Sequence, residues 1–583
     1  MKSLSHNGIM ITDYEPMGFH ILFKGKKIEL TPKQEEMAIA WVKKLGTDYV
    51  NDKVFIKNFF KDFKKALGIG EGVTPEDFDF SEIINFIEKE RERKENMSKE
   101  EKKKLAAERK AKREANKEIY GYAVVNGKSI EIANYTAEPS SIFMGRGKHP
   151  LRGKWKEGPK QNDIILNLSP DSKVPPGNWK KIVWDANSMW IASWYDKLSE
   201  KKKYVWFSDS SPIKQKKEIK KFDKSIELEE NLQSVHDYII KNLDSEDLKR
   251  RKLATVCYLI DALCMRVGDE KDEDEANTVG ATTLTRENIT ILPNNMVKFD
   301  FLGKDYVRWE KEVKLPENVV RNLKKFIEEP NDVVFNGIRS EHVNAFLSEA
   351  MDGLTTKVFR TCNATKAVRG FLKEIKAKKD DPEYYKKHMA KMSNLEAAKI
   401  CNHKRTIPKS WGKTLQRKKE RLEASKNKAK KNMEKYQQKI KDMKKNYEKK
   451  IKNYEKSLEE YEESLKKLEN QDKESLKKRI TLKRKTINNQ KARIKNLKKK
   501  YLERLEKLKQ NMKKRKQLDQ ANTEKLKLQI EEQQKTRDYN LNTSLKSYVD
   551  PRVYKKWAKK VDYDWKKYYS KSLQKKFSWL DSE

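Results

Sequence analysis

Apolar residues recur at Met433, Tyr436, Ile440, Met443, Tyr447, Ile451, Tyr454, Leu458, Tyr461, Leu465 and Leu468, mostly in alternating steps of three and four. One four–four stutter falls at Met443, Tyr447 and Ile451. The phase breaks near Glu469-Asn-Gln-Asp472, and a second series follows at Ile480, Ile487, Ile494, Tyr501 and Leu508, each seven apart. Two stripes of similar length around a polar break predict an antiparallel helical hairpin over 411–534. At ~1.5 Å per residue each arm is roughly 90 Å long. One continuous dimeric coiled coil is the competing reading.

Elsewhere the period changes. Ile21-Leu-Phe23 and Ile28-Glu-Leu30 flank the turn Lys24-Gly-Lys26 as a strand pair, and a helix is predicted over 32–45. Residues 80–120 are helical in pattern and very charged, with the capping box Ser98-Lys-Glu-Glu101 starting a second helix after a bend. With so little apolar face, this pair is either simply solvated or turns its lysines and arginines toward a polyanion. Residues 138–210 are rich in Gly, Pro and Trp, with short strands at Asp163-Ile-Ile-Leu-Asn167 and Trp190-Ile-Ala-Ser-Trp194. Within them Phe143-Met-Gly-Arg-Gly-Lys-His-Pro150 is a basic glycine loop. Its glycines would let the backbone approach a phosphate and let Arg146 reach a groove; an ordinary surface loop is the alternative. The pattern divides the chain into a mixed α/β region at 1–210, a basic hinge at 211–223, a mostly helical domain with one hairpin at 224–408, the coiled-coil linker at 409–535 and a compact aromatic segment at 536–583. The fold class is α+β, multidomain.

Charge narrows the partners. Among 583 residues, 132 Lys+Arg against 89 Asp+Glu give 132 − 89 = +43. Counterion release makes a polyanion such as duplex DNA or RNA the natural partner for such a field. The excess also runs through segments outside the coil, which a merely solvated lysine-rich coil does not explain. Cys257, Cys264, Cys362 and Cys401 form no CxxC, no secretory signal precedes them, and they read as reduced buried thiols of an intracellular protein. No run approaches the ~18 apolar residues of a membrane span, so no membrane is expected.

Five short strings carry candidate chemistry: Met265-Arg266 after an apolar helix, Gly303-Lys304-Asp305, Lys357-Val-Phe-Arg360, Asn402-His403-Lys404-Arg405 and Lys546-Ser547-Tyr548. Cleaving a phosphodiester by transesterification needs a nucleophile, charge stabilisation, a proton for the leaving oxygen and alignment. Arginine's planar fork gives two donors to two phosphoryl oxygens. Two arginines and a histidine can surround the non-bridging oxygens without a metal, a lysine can act as general acid, and a tyrosine stores the bond as phosphotyrosine. Each residue also has an ordinary reading. Arg266 would close the helix bearing Leu253, Val256, Ile260 and Leu263, and His403 one opening at the capping box Ser393-Asn-Leu-Glu396; both then suit a helix dipole. Lys304 would be solvated on a hairpin tip, Arg360 an ordinary surface arginine, and Tyr548 one of 23 tyrosines.

The set is more specific than its members. From His6 to Leu580 the chain resembles the core and C-terminal parts of eukaryotic DNA topoisomerase I, the type IB enzyme. The phrases are Asn58-Phe-Phe-Lys-Asp-Phe63, Gly145-Arg-Gly-Lys-His-Pro150, Asn277-Thr-Val-Gly280, Phe299-Asp-Phe-Leu-Gly-Lys-Asp305, Gly353-Leu-Thr-Thr-Lys-Val-Phe-Arg-Thr361, Cys401-Asn-His403 and Tyr548-Val-Asp-Pro-Arg552. The resemblance implies a bilobed DNA clamp, with cap (1–210), tyrosine-recombinase-like catalytic lobe (224–408), linker and small helical C-terminal domain. It implies that Tyr548 forms a 3′-phosphotyrosine, Arg266 and Arg360 clasp the scissile phosphate, His403 bonds a non-bridging oxygen and Lys304 protonates the leaving 5′ oxygen. Arg146 matches a minor-groove contact near the cleavage site. Lys357 is a second proton donor or phosphate contact, and Lys148, Asp305 and Ser547 are further DNA-contact candidates. The implied activity is relaxation of positive and negative supercoils without ATP, metal or other cofactor. The expected partner is duplex DNA with little sequence preference, bound by a monomer.

Three departures stand out. The long N-terminal domain of the eukaryotic enzymes is missing, which fits an archaeal cytoplasm and nucleoid, or a truncated nuclear protein. The hairpin is longer than the family's usual one. Ser547 stands where many members carry Asn, so weak sensitivity to camptothecin-type poisons is expected. The rival readings are a site-specific tyrosine recombinase and a non-enzymatic, basic coiled-coil DNA protein.

Overall fold

Lys24 and Gly25 both adopt positive φ (48° and 76°), the geometry that a two-residue turn needs to join right-twisted strands. The turn links His20–Phe23 to Lys26–Glu29 in antiparallel register, as the sequence predicts. The computed structural model describes residues 1–70, 72–269, 278–470 and 474–582. The described residues fall into two compact units, Met1–Glu374 with Glu396–Lys404 and Asn540–Glu583, and Ile375–Leu395 with Arg405–Tyr539.

The first unit begins with small sheets and short helices. Helix Lys53–Leu67 starts where Asp52 accepts from the backbone N–H of Val54 (2.9 Å) and Phe55 (3.3 Å), and ends at left-handed Gly68. Its Phe55, Phe59, Phe60 and Phe63 lie on one face and are buried; Phe59 stacks on Trp41 at 4.7 Å. The charged helices predicted for 80–120 are Ser81–Asn96 and Lys99–Tyr120, and the Ser98/Glu101 capping box is formed. The strands Lys181–Val183, Ile165–Asn167, Trp190–Tyr195 and Lys202–Trp206 make one four-stranded sheet in that order. The basic stretch expected as a hinge is helical and continues as Pro212–Glu230, with Ser211 as its cap.

A larger core follows. Val256, Leu259 and Ile260 of helix Leu248–Leu263 share one buried core with Phe299 of a three-stranded sheet (Ile289–Ile291, Met296–Gly303, Val307–Lys314) and with Phe326, Phe346 and Phe359. Two local expectations need correction. The helix before Arg266 stops at Leu263, and Cys264 turns left-handed (φ 52°). Arg266 therefore lies beyond the last turn of that helix and does not close it. Ser393 and Asn394 lie buried inside a helix that opens at Glu383, not at a new start. There the Ser393 hydroxyl donates back to the Ala390 carbonyl (2.9 Å), which a serine inside a helix does when no free N–H is in reach.

The second unit contains the predicted hairpin. Trp411–Glu469 and Lys477–Lys535, 59 residues each, pack along one another. Tyr447 stacks on Tyr501 at 4.1 Å, and Asn432 donates to Asp519 (2.9 Å). The arms are antiparallel partners within one chain, which replaces the continuous-coil reading. The polar break at Glu469-Asn-Gln-Asp472 falls partly outside the described residues. Near the hairpin's base, Glu532 takes His388 (3.2 Å) and Lys391 (2.8 Å), which groups 375–395 with the arms.

Candidate active site

Arg266 is held by its backbone. Its carbonyl accepts from Ala281 N–H (2.8 Å), and the Val267 carbonyl accepts from Thr282 N–H (2.7 Å). Gly268 (φ 125°) lies against Gly280 so closely that a Cβ on Gly280 would come within 2.4 Å of the Gly268 Cα. Only glycines allow that approach, and it leaves the half-buried Arg266 side chain as the variable part. Asn277, from the phrase ending at Gly280, lies outside the described residues.

Lys304 opens a short 3-10 turn joining the strands Met296–Gly303 and Val307–Lys314. The expected hairpin is correct, but the lysine is only half-exposed. The basic glycine loop meets this turn: a Cβ on Gly147 (φ 60°) would fall 2.1 Å from the Tyr306 ring. The loop is itself pinned, because the Asn58 amide donates to the carbonyls of Pro150 and Arg152, both at 2.8 Å. Arg146 and Lys148 are exposed on it. Asp305 lies in the turn, and its side chain is outside the described residues.

Arg360 is not a surface residue. On helix Thr356–Glu374 it is 4% exposed, and its guanidinium donates to the carbonyls of Cys264 and, at 3.0 Å, Cys401. Burial works against its charge, yet its neighbours, including a hydrogen bond to the Tyr548 side chain, hold its pKa above the ordinary arginine value. The Arg360 Nε has no hydrogen-bond partner among the described residues.

His403 follows a helix end of defined geometry. Asn402 is left-handed (φ 51°), its N–H bonds the Lys399 carbonyl (3.1 Å), and the His403 N–H bonds the Ala398 carbonyl (2.8 Å). This is the Schellman arrangement, and it explains an asparagine before the histidine. The imidazole is 6% exposed. Burial first, then the charges of Arg360 and Arg266, push its pKa down to about 3. The ring is therefore neutral near pH 7. Its Nε2 lies 3.4 Å from an Arg360 nitrogen, and its Nδ1 is buried with no hydrogen-bond partner among the described residues.

Tyr548 ends the helix Leu541–Ser547. Its ring centre lies 5.1 Å from the Arg360 guanidinium carbon and 5.1 Å from the His403 ring centre. The backbone beside it is tied to the pocket twice. Asn540 N–H donates to the His403 carbonyl (2.7 Å). The Thr365 hydroxyl donates to the Tyr548 carbonyl (3.3 Å) and accepts from Asp550 N–H (3.1 Å). Thr365 was missed by sequence reasoning; its only signal is a place on the helix of Arg360. A cavity of about 60 Å³ is lined by Arg266, Lys304, Lys357, Arg360 and Tyr548 together, and an adjoining one of about 70 Å³ by Arg266, Lys304, Arg360 and His403. Fold and side chains thus bring together all five residues that the strings singled out, while Ser547 offers its backbone carbonyl to Lys221 (2.9 Å).

Family comparisons agree with this geometry. Residues 1–207 match the model of the "Eukaryotic DNA topoisomerase I, DNA binding fragment", 210–437 that of the "Eukaryotic DNA topoisomerase I, catalytic core", and 520–582 that of a "C-terminal topoisomerase domain". "DNA topoisomerase 1" of Candida albicans is 34% identical over 616 residues, covering 99% of this chain and 78% of the relative. The human "DNA topoisomerase 1" is 30% identical, covering 99% and 70%. "DNA topoisomerase 1 beta" of Arabidopsis thaliana is 33% identical over 99% of this chain, which spans 58% of that relative's length. The chain belongs to the eukaryotic DNA topoisomerase I family, as its motifs led us to expect, and the matches do not favour a recombinase. Among the described residues no helix is long and apolar enough to cross a membrane.

Proposed function

We propose that the protein relaxes positive and negative DNA supercoils by nicking one strand through a covalent 3′-phosphotyrosine at Tyr548, letting the duplex rotate, and resealing it. The observation that carries this reading is the Tyr548 ring 5.1 Å from both the Arg360 guanidinium and the His403 ring, at a cavity shared with Arg266 and Lys304. The Tyr548 oxygen attacks the phosphorus and gives up its proton to solvent as the bond from phosphorus to the 5′ oxygen breaks. Arg266 and Arg360 take the charge on the non-bridging oxygens, worth most in a site already shielded from water. The neutral His403 donates one hydrogen bond without adding charge. Lys304 protonates the departing 5′ oxygen, with Lys357 as the second candidate donor. In the reverse step the 5′ hydroxyl attacks the phosphotyrosine, so resealing needs no ATP.

Residues 1–210 act as cap, the helical stretch at 211–223 joins it to the catalytic lobe at 224–408, 409–535 is the linker and 536–583 the segment that delivers Tyr548. Arg146, on the loop beside Tyr306, reaches the groove near the cleavage site; Lys148, Asp305 and Ser547 flank the same region. Binding is through phosphates and nearly independent of sequence; the enzyme works as a monomer at the cell's DNA, in a nucleoid or a nucleus. A reaction on supercoiled plasmid without ATP or Mg²⁺, denatured in mid-course, tests this. The DNA 3′ end is expected on Tyr548; a 3′ end on another residue, or no adduct with active relaxation, overturns the reading.

A further inference from the structure

The helix carrying Tyr548 ends in carbonyls that have no partner within the helix. Two buried or half-buried ammonium groups take them. Lys221, on helix Pro212–Glu230, donates to the Ser547 carbonyl (2.9 Å). Lys576, 7% exposed at the end of helix Lys571–Lys576, donates to the Lys546 carbonyl (2.7 Å). A helix C-terminus is a negative pole and favours cations there, but two like charges so close repel each other. One carboxylate oxygen reconciles them: Glu218 Oε1 lies 2.5 Å from the Lys221 Nζ and 3.2 Å from the Lys576 Nζ.

The frame around this triad is fixed. The Gln215 amide, one turn before Glu218, donates to the carbonyls of Lys575 (3.0 Å) and Lys576 (3.2 Å) and to the Ser578 hydroxyl (2.9 Å). Asp223, on the same helix, bonds Arg552 (2.8 Å), whose guanidinium also holds Asp550. Asp209 takes the Lys546 ammonium at 3.0 Å. The Ser547 carbonyl and the Lys546 and Arg552 side chains, on either side of Tyr548, are thus tied to residues more than three hundred positions earlier, through groups that do not line the cavities. Burial lowers the Lys221 pKa and Glu218 opposes that shift, so the carboxylate also favours the charged form that makes both bonds.

We propose that Glu218 is a positioning residue for the nucleophile: through Lys221 and Lys576 it holds the Lys546 and Ser547 carbonyls, and with them the angle at which Tyr548 meets the phosphorus. This rests on Tyr548 being the nucleophile. A carboxylate that sets the angle of attack lowers the barrier in both directions, because cleavage and resealing share one transition state. Its loss slows both rates equally and leaves the cleavage equilibrium in place.

The test uses the full chain and a short duplex labelled at the 3′ end of the cleaved strand. Single-turnover cleavage, resealing and DNA affinity are measured for the parent, Glu218→Ala, Lys221→Met and the double variant. The expected result is a loss of about tenfold or more in both rates for each single variant, given how steeply rate depends on alignment. DNA affinity and the equilibrium fraction of covalent complex stay within about twofold, and the double variant is no slower than the worse single one, since residues of one network are not additive. Should Glu218→Ala fail to fold, Lys221→Met, which keeps the aliphatic stem, and Glu218→Gln carry the test. Rates within about twofold of the parent in folded variants overturn the proposal, as do additive losses or a loss confined to DNA affinity. A parent that forms no adduct on Tyr548 overturns the underlying assignment instead.

Discussion

The Arg360 guanidinium carbon lies 5.1 Å from the centre of the Tyr548 ring, and the same guanidinium donates to the carbonyls of Cys264 and Cys401. One buried cation thus joins the segment leading to Arg266, the helix end that presents His403, and the tyrosine. It is structural and chemical at once, which sets the first prediction. Arg360→Lys keeps the charge but loses the fork. It is expected to slow single-turnover cleavage by about 10²–10³-fold and to leave at least one buried carbonyl unpaired, costing ~1–3 kcal/mol in denaturant unfolding. A variant that cleaves at the parental rate would contradict the role given to the fork.

Tyr548→Phe removes only an oxygen from a half-buried ring. Relaxation and covalent adduct are expected to vanish, while DNA affinity by gel shift stays within about twofold, since phosphate contacts elsewhere supply the binding. Loss of binding along with activity would argue against the nucleophile assignment.

Thr365 bridges the Tyr548 carbonyl and the Asp550 N–H. Thr365→Val keeps the shape and removes the hydroxyl, leaving two backbone groups without it. A stability loss of ~1–3 kcal/mol and a cleavage rate reduced by about tenfold through misalignment are expected, with DNA affinity unchanged.

His403 is held down to about pKa 3 by burial and by its arginine neighbours, whereas an unfolded histidine titrates near ~6.5. Between those values the unfolded chain binds the extra proton, so stability falls as pH drops from about 6.5 toward 3. His6, pushed down to about 4 by burial, contributes with the same sign. The melting temperature of His403→Gln should therefore fall less steeply with acidification than that of the parent. Parallel curves for the two proteins would mean that His403 is not buried neutral.

Ser425 and Thr523 face each other across the hairpin, with their hydroxyls 3.5 Å apart. Closing the hairpin at that level by a short turn in place of residues 426–523 is expected to leave single-turnover cleavage within about threefold of the parent, because none of those residues lines the cavities at Tyr548 and Arg360, and to change the rate of relaxation instead. In the intact protein, Ser547 in place of Asn should give weak trapping by a camptothecin-type poison, and Ser547→Asn should strengthen it; strong trapping of the parent at low concentration would refute this.

Periodicity carried much of the architecture. The heptad stripes foretold two long arms, and Lys24-Gly25 and Ser98 with Glu101 marked a turn and a helix start that both formed. These are local signals, decided by the conformational preferences of adjacent residues. The same logic failed at Ser393, where a Ser-x-x-Glu pattern fell inside a continuing helix, and at Arg266, where an apolar period ran on past a left-handed Cys264. In both places the deciding partners, Ala390 within the helix and Gly280 beyond the turn, carried no weight in the local pattern.

Residue types and their order named the candidates for the pocket: two arginines, a lysine, a histidine and a tyrosine. Their convergence is another matter. Arg360 looks like any helical arginine until the chain folds Cys264 and Cys401 around it, and Glu218 is one acid in a lysine-rich helix until Lys576 arrives from the far end of the chain. A period is a property of neighbours a few residues apart, whereas a hydrogen-bonding site is assembled by packing between segments hundreds of residues apart, and only the folded chain brings those within reach.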